Sequence, residues 1–123
     1  EAITLIGKRL PIPALCKQFH LQGVKNVVIT DSTRGSYASS GEESVWFLPA
    51  SPIKPISKAG AGDAYASGFL TVFIKKKSIP EAMRAGTANA GGVIQKFGTQ
   101  KGLLSWRQLQ FFLKKNGQQP KII

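Results

Sequence analysis

The sequence predicts one α/β domain, a mostly parallel sheet with flanking helices, and three observations carry that expectation. A helical segment is followed directly by a β-branched strand, the order from which layered α/β folds are built. Two longer helical stretches come later, one of them lined with small residues. The chain has 123 residues, 42% of them hydrophobic, which suffices for one modest core.

Residues 10–19 open with Pro11 and Pro13 and place Ala14, Leu15 and Phe19 at helical spacing, so a short helix is expected, ended by Gly23. Residues 24–30 (VKNVVIT) form a β-branched run that reads as a buried strand of a parallel sheet. Residues 35–39 and 44–48 alternate around a Ser-Gly-Glu-Glu turn at 40–43, which predicts a hairpin appended to that sheet. Pro49, Pro52 and Pro55 then impose an extended connection, because proline restricts itself and its predecessor. Residues 63–76 read as a helix burying Ala64, Phe69, Leu70, Phe73 and Ile74, with the basic run 75–77 at its C-terminus. Ser78 and Glu81 stand in capping-box relation, Pro80 suits a first turn, and a second helix is expected to about Lys96. The small residues at 85–92 call for another backbone at close range. Ser105 and Gln108 repeat the capping box ahead of a last helix that buries Leu109, Phe112 and Leu113. The domain is therefore drawn over residues 1–117, with 118–123 as a frayed tail.

Composition narrows the class. Thirteen glycines without a three-residue period exclude a collagen-like chain, and one cysteine can neither bridge nor build a thiolate cage. No stretch approaches the roughly 18 apolar residues of a membrane span, and residues 1–10 have neither a basic start nor a long apolar run. A reducing, cytoplasmic compartment is expected, with no membrane partner. The net charge of +11 favours an anionic partner such as a nucleotide, a phosphorylated metabolite, nucleic acid or an acidic protein surface, and does not choose among them.

The chemistry concentrates in residues 57–70, SKAGAGDAYASGFL. Two glycines flank a small residue immediately before an acid that opens a helix. Such an entry exposes successive backbone N–H groups, and the helix dipole adds positive potential there, so the segment reads as an anion cradle. Spacing excludes a dinucleotide fingerprint, because Tyr65 stands where glycine or alanine is required, and no G-x-x-x-x-G-K-[ST] occurs. Asp63 beside its own anion hole suits phosphoryl transfer, with N–H donors neutralising the moving group and the acid accepting a hydroxyl proton. The plainer alternative is a helix-opening carboxylate that only stabilises the dipole.

The string GAGDAYASGFL resembles the C-terminal signature of the ribokinase-like (pfkB) sugar and nucleoside kinases. In the same order, VVITDSTRG (27–35) is similar to that family's strand and T-x-G-x-x-G nucleotide loop, IPEAMRAGTANAGG (79–92) to the helix beside the adenine, and KFGTQKGL (96–103) to the loop closing the nucleotide site. The resemblance runs from residue 1 to about 115. It implies the C-terminal nucleotide-binding part of a ribokinase-like fold and ATP- and Mg-dependent phosphorylation of a hydroxyl on a small sugar, sugar phosphate or nucleoside. Asp63 becomes the general base, and the backbone of Gly60, Ala61 and Gly62 becomes the anion hole. Thr30, Asp31, Ser32, Thr33, Arg34 and Gly35 would line the nucleotide, with Thr87 and Asn89 near the adenine and Gly98 in the closing loop. Glu1 resembles the last letter of the N-x-x-E motif that organises Mg and phosphate.

Where the family writes D-T-x-G-A-G-D, this chain has Ser57 and Lys58 in the first two places. That removes the Asp of the family's monovalent-cation position and offers Lys58 as a phosphate donor. The first Gly of the nucleotide loop is Ser32. Family members are more than twice as long, and the N-terminal part carries most sugar contacts, so the 123-residue chain alone is expected to be inactive. It is also expected to partner through an open sheet edge, with that N-terminal half or with itself.

Other features are weaker. Cys16 and His20 have ligand spacing but no further ligands beside them, and Trp46 and Trp106 read as packing anchors. The basic runs at 75–77 and 114–115 read as solvated helix ends. A non-catalytic kinase relic and a basic polyanion- or nucleic-acid-binding module are the rival functions, the latter without any recognisable nucleic-acid motif.

Overall fold

The computed structural model describes residues 1–41, 44–76, 78–115 and 117–123. The expected turn at 40–43 therefore falls partly outside the described residues, as does the last lysine of the run 75–77. In chain order the elements are α1 (Ala2–Ile6), α2 (Ile12–Leu21), β1 (Val27–Asp31), β2 (Gly35–Ser39), β3 (Trp46–Pro49), α3 (Ala61–Lys76), α4 (Ile79–Ile94), α5 (Trp106–Lys114) and β4 (Lys121–Ile122).

Helices and a sheet alternate as an α/β chain should, but the described strands are paired antiparallel throughout, in the order β1-β2-β3-β4. This corrects the expected mostly parallel sheet. Only residues 32–34 separate β1 from β2, and a parallel return needs a crossover of a dozen residues or more. The register runs from Val27 opposite Ser39 to Asp31 opposite Gly35, and Gly35 in turn faces Pro49 on β3. β1 is not buried on both faces either: its burial alternates, and Val28 is exposed. The expected frayed tail is corrected as well. Lys121 pairs with Phe47, Ile122 with Trp46, and the Ile123 amide donates to the Val45 carbonyl at 2.9 Å.

The main core lies where α3 packs on α4, and small residues allow the two helices to approach closely. A Cβ at Gly68 would stand 2.8 Å from the Ala85 carbonyl oxygen, and one at Gly86 would press on the Tyr65 ring at 3.0 Å. At the far end of α4 a Cβ on Gly92 would fall 2.3 Å from the Gly102 carbonyl oxygen, so that glycine seats the 96–103 loop. The buried face of α3 is Ala64, Tyr65, Gly68, Phe69 and Val72. Leu70 and Ile74, expected inside, are exposed, because they lie on the side of α3 turned away from α4.

Capping differs between the two predicted boxes. Ser105 and Gln108 form a complete one, with side-chain bonds of 3.3 Å and 2.8 Å to each other's backbone amides. Ser78 accepts from the Glu81 amide at 3.4 Å, but the Glu81 carboxylate turns instead to Lys76, 3.1 Å away, so only half of that box forms. Arg84 of α4 ties down the other end of α5 by donating to the carbonyls of Leu113 and Lys115 at 3.1 Å and 2.8 Å. Cys16 is buried in a second, smaller cluster with Val27 and Val45. His20 spends its ring nitrogens on the Val24 carbonyl (2.7 Å) and the Ser39 hydroxyl (2.9 Å), which takes it out of any ligand pair with Cys16.

Candidate active site

The proline-punctuated connection after β3 delivers residues 56–60 to the start of α3. The amides of Ile56 and Ser57 both donate to the Ile94 carbonyl, at 2.8 Å and 3.2 Å, so the loop is pinned to the C-terminal end of α4. The Ser57 hydroxyl then accepts from the Ala59 amide at 3.3 Å, closing a local turn. Gly60 takes a left-handed φ of +79°, and a Cβ there would collide with Thr99 of the 96–103 loop at 2.8 Å. Both facts demand glycine.

At the helix entry the Ala61 amide bonds the Lys58 carbonyl at 3.3 Å and the Ala64 amide bonds the Gly60 carbonyl at 2.9 Å. The amides of Gly62 and Asp63 have no acceptor among the described residues. Space in front of Gly62 is open: an added Cβ there would meet nothing within 4 Å. Asp63 occupies the first turn with its side chain exposed. The expected cradle of three consecutive free amides is therefore narrower, because Ala61 uses its own donor locally.

This entry opens onto a cavity of about 250 Å³. The β1–β2 turn contributes Thr30, Ser32, Thr33 and Gly35, the α3 side contributes Lys58, Ala61 and Gly62, and α4 contributes Thr87. Lys58 is the charged residue of that lining, and its ammonium makes no ion pair among the described residues. The lining sets these hydroxyls and one cation beside apolar surface from Ile53, Pro55, Ala90 and Ile94, which favours an occupant with an anionic or polar part and an apolar one.

Five sequence-predicted site residues are placed elsewhere. Asp31 and Arg34 pair with each other at 3.0 Å and line a second cavity of about 880 Å³, on the side of β1 where Glu1 also lies. Thr30 is the residue of the predicted set that lines both cavities. Asn89 is 2% exposed, and both ends of its amide are used within the protein: it donates to the Ala64 carbonyl at 2.8 Å and accepts from the Leu104 amide at 2.7 Å. It holds α3, α4 and the start of α5 together and does not line the cavity. Gly98, at φ +102°, belongs to the loop that reaches the cradle through Thr99, not to the lining itself.

Sequence reasoning missed Ser36, Ser51, Ile53 and Tyr65 as lining residues. The 50–55 stretch reads only as proline punctuation, yet Ser51 and Ile53 pack 3.6–3.7 Å from where a Gly91 Cβ would be. Tyr65 is buried, and its hydroxyl donates to the Ser36 hydroxyl at 2.8 Å. Burial pushes its phenol up to about 12, with the Ser36 hydrogen bond opposing. A polar tip on the inner face of a predicted helix was the available signal.

A model of the pfkB family carbohydrate kinases matches residues 7–106. The chain belongs to the pfkB family. Among relatives of this pfkB chain, the cytidine kinase of Thermococcus kodakarensis is 34% identical over 101 residues, covering 80% of this chain and 35% of that protein. The ribokinase of Haemophilus influenzae is 30% identical over 96 residues, covering 78% and 31%. The crystal structure of ribokinase from Thermotoga maritima superimposes with a TM-score of 0.78 at 24% identity, over 93% of this chain and 38% of that one. Fructokinase from Vibrio cholerae, solved with fructose, ADP and calcium, gives 0.77 at 22% identity over 93% and 38%. These likenesses carry the ribokinase fold. The pfkB chain spans about a third of the length of the curated relatives it matches. Its match contains the cradle, the β1–β2 turn and Thr87, while Glu1 lies before it.

Proposed function

We propose that this chain supplies the nucleotide-binding and proton-accepting part of an ATP-dependent kinase that phosphorylates a hydroxyl on a small sugar, sugar phosphate or nucleoside. The observation that supports this best is the entry of α3. Unbonded amides at Gly62 and Asp63 and open space before Gly62 stand at the end of the cavity that Lys58, Ala61 and Gly62 line, and the exposed Asp63 carboxylate follows one residue on in the chain. Nucleotide phosphates fit that donor set: backbone N–H groups and one ammonium face them, and the wall offers no carboxylate to repel them.

Asp63 accepts the proton of the attacking hydroxyl, and the Gly62 and Asp63 amides neutralise charge as it develops on the transferred phosphoryl oxygens. Thr30, Ser32 and Thr33 orient the nucleotide from the turn, and Lys58 holds a phosphate oxygen. Among the described residues there is no cluster of three or more His, Cys, Asp or Glu side chains, so a magnesium ion would be held chiefly by the phosphates themselves. When bound, it supplies charge neutralisation on the β- and γ-oxygens. The ADP and metal ion in the fructokinase structure support the choice of nucleotide. Sugar contacts, and the surface that covers the open edge of β1, belong to length of the relatives that this chain does not span, or to a second copy of the chain.

NMR titration with ADP tests the binding half. Shifts centred on Gly35, Gly60, Gly62, Asp63 and Thr87 are expected, whereas shifts spread over Lys75, Lys76, Lys114 and Lys115 would replace the reading with generic polyanion binding. In the protein that carries this unit, Asp63→Asn is expected to lower kcat roughly 10²–10⁴-fold with nucleotide affinity unchanged. A near-normal rate in that variant would sink the role of Asp63.

A further inference from the structure

Two hydroxyls meet at the inner wall of the first cavity. Tyr65, on the buried face of α3, is 6% exposed, and Ser36, on β2, is 2% exposed; both line the cavity, and their oxygens are 2.8 Å apart. Each O–H carries one proton. The bond between them uses one of the two, whichever residue donates. Neither side-chain oxygen has another protein partner among the described residues. The pair therefore holds one proton for which the protein provides no acceptor, in a place where an unmade hydrogen bond is costly. A phenol pushed up to about 12 stays protonated at any physiological pH, so this donor is permanent.

The position says what part of an occupant it meets. Tyr65 lies one helical turn deeper than Ala61 and Gly62, whose end of the cavity carries Lys58 and the open amides. Its ring lies against Gly86, next to Thr87, where a Cβ would come within 3.0 Å. The pair thus sits away from the cation and toward the α4 wall, where Ala90, Gly91 and Ile53 give apolar surface for a ring.

We propose that the Tyr65–Ser36 pair is a ligand-reading element that donates one hydrogen bond to an acceptor atom on the nucleoside part of the cavity's occupant. This rests on the nucleotide reading above and adds binding residues to it. Because either hydroxyl can carry the surplus proton, removing one leaves a donor behind. Removing both leaves the ligand acceptor buried without a partner.

The test is titration of the chain with adenosine, ADP and inorganic pyrophosphate. Tyr65→Phe is expected to weaken adenosine binding by no more than about threefold, and Tyr65→Phe with Ser36→Ala by about tenfold or more, with ADP following adenosine and pyrophosphate unchanged. Unchanged adenosine affinity in the double variant overturns the proposal and means that water takes the proton. Equal weakening of all three probes also overturns it, since a damaged fold would do the same. If the unmodified chain binds none of the three, the nucleotide reading fails and this inference fails with it. The unmodified fold gives a second measurement, through 3-fluorotyrosine labelling. The chain has two tyrosines, and Tyr37 packs on Phe47 outside the cavity, which makes it the internal control. The Tyr65 resonance is expected to move with adenosine and stay with pyrophosphate, and a Tyr65 resonance indifferent to adenosine overturns the proposal.

Discussion

The α3–α4 layer and the α1–α2–β1 face are built to opposite standards. In the first, α3 sits directly on α4, its backbone at Gly68 against the Ala85 carbonyl and the Tyr65 ring against Gly86, and Phe69, Val72, Met83 and Leu109 are buried around them. In the second, α1 buries nothing, Leu5 is 75% exposed, Ile3 and Val28 are about two-fifths exposed, and one edge of β1 has no strand beside it among the described residues. The outer side of α3, with Leu70 and Ile74, belongs to this second kind although it is the same helix. The first cavity draws its walls from α3 and α4 of the closed layer together with the β1–β2 turn and the connection after β3. The open face surrounds the larger cavity, so packing is tight beside the first cavity and apolar surface stays uncovered beside the second.

Gly68→Val tests the closed layer most severely. Its Cβ would stand 2.8 Å from the Ala85 carbonyl oxygen and 2.9 Å from the Asn89 Cβ, and backbone cannot step aside as a flexible side chain can. A loss of at least about 3 kcal/mol, or of the cooperative transition altogether, is expected in thermal unfolding. Leu5→Ser on the open face is expected to stay within about 0.5 kcal/mol of the parent. Similar losses in the two variants would erase the distinction between the regions.

Asn89→Ala is next in size. It leaves the half-buried Leu104 amide without its acceptor and removes the buried bond to Ala64, for an expected cost of roughly 2–3 kcal/mol by denaturant unfolding. Nucleotide affinity per folded molecule should hardly change. A selective loss of adenosine binding with stability intact would return Asn89 to the site.

Cys16 reports on the other region. Burial raises its thiol above the ordinary range, and the cluster around it is small, with Val27 and Val45 as its buried companions. In the native protein alkylation should be slow at pH 7 and quicken as pH rises toward the raised value, since the thiolate is the reactive form. Its rate should also reveal local opening of α2 at a lower free energy than exchange of α4 amides, by about 2 kcal/mol. Equal opening energies for the two probes would mean that the chain unfolds as one unit.

Much of this division was legible in the sequence, and the errors share a cause. The small residues at 85–92 announced a close helix contact, and SKAGAGDAY announced a helix entry with exposed amides. Helix faces and strand partners were harder. Leu70 and Ile74 are apolar at helical spacing, which predicts a covered face without saying whether this stretch of chain provides the cover. VVIT reads as a strand buried on both sides for the same reason, and the three-residue link to β2 was the overlooked sign of an antiparallel pair. Asn89 shows the opposite limit. A polar residue among small ones looks like a ligand contact until its two partners, 25 and 15 residues away in the chain, are known.

The smallest expected effect lies at the joint between the two regions. Ser32 sits in the β1–β2 turn, lines the first cavity and holds a φ of +44°, the one non-glycine residue with positive φ among those described. An L-residue there costs about 1–2 kcal/mol. Ser32→Gly removes that strain but loosens the unfolded chain, which takes back about 0.4–1 kcal/mol. A net gain of up to about 1.5 kcal/mol is therefore expected, read as a small rise in Tm. The serine hydroxyl leaves the cavity wall at the same time, so ADP affinity should fall slightly while stability rises. A variant that loses stability would show that the hydroxyl, not the backbone, secures the turn, and that the strained joint is not where the closed layer ends and the open face begins.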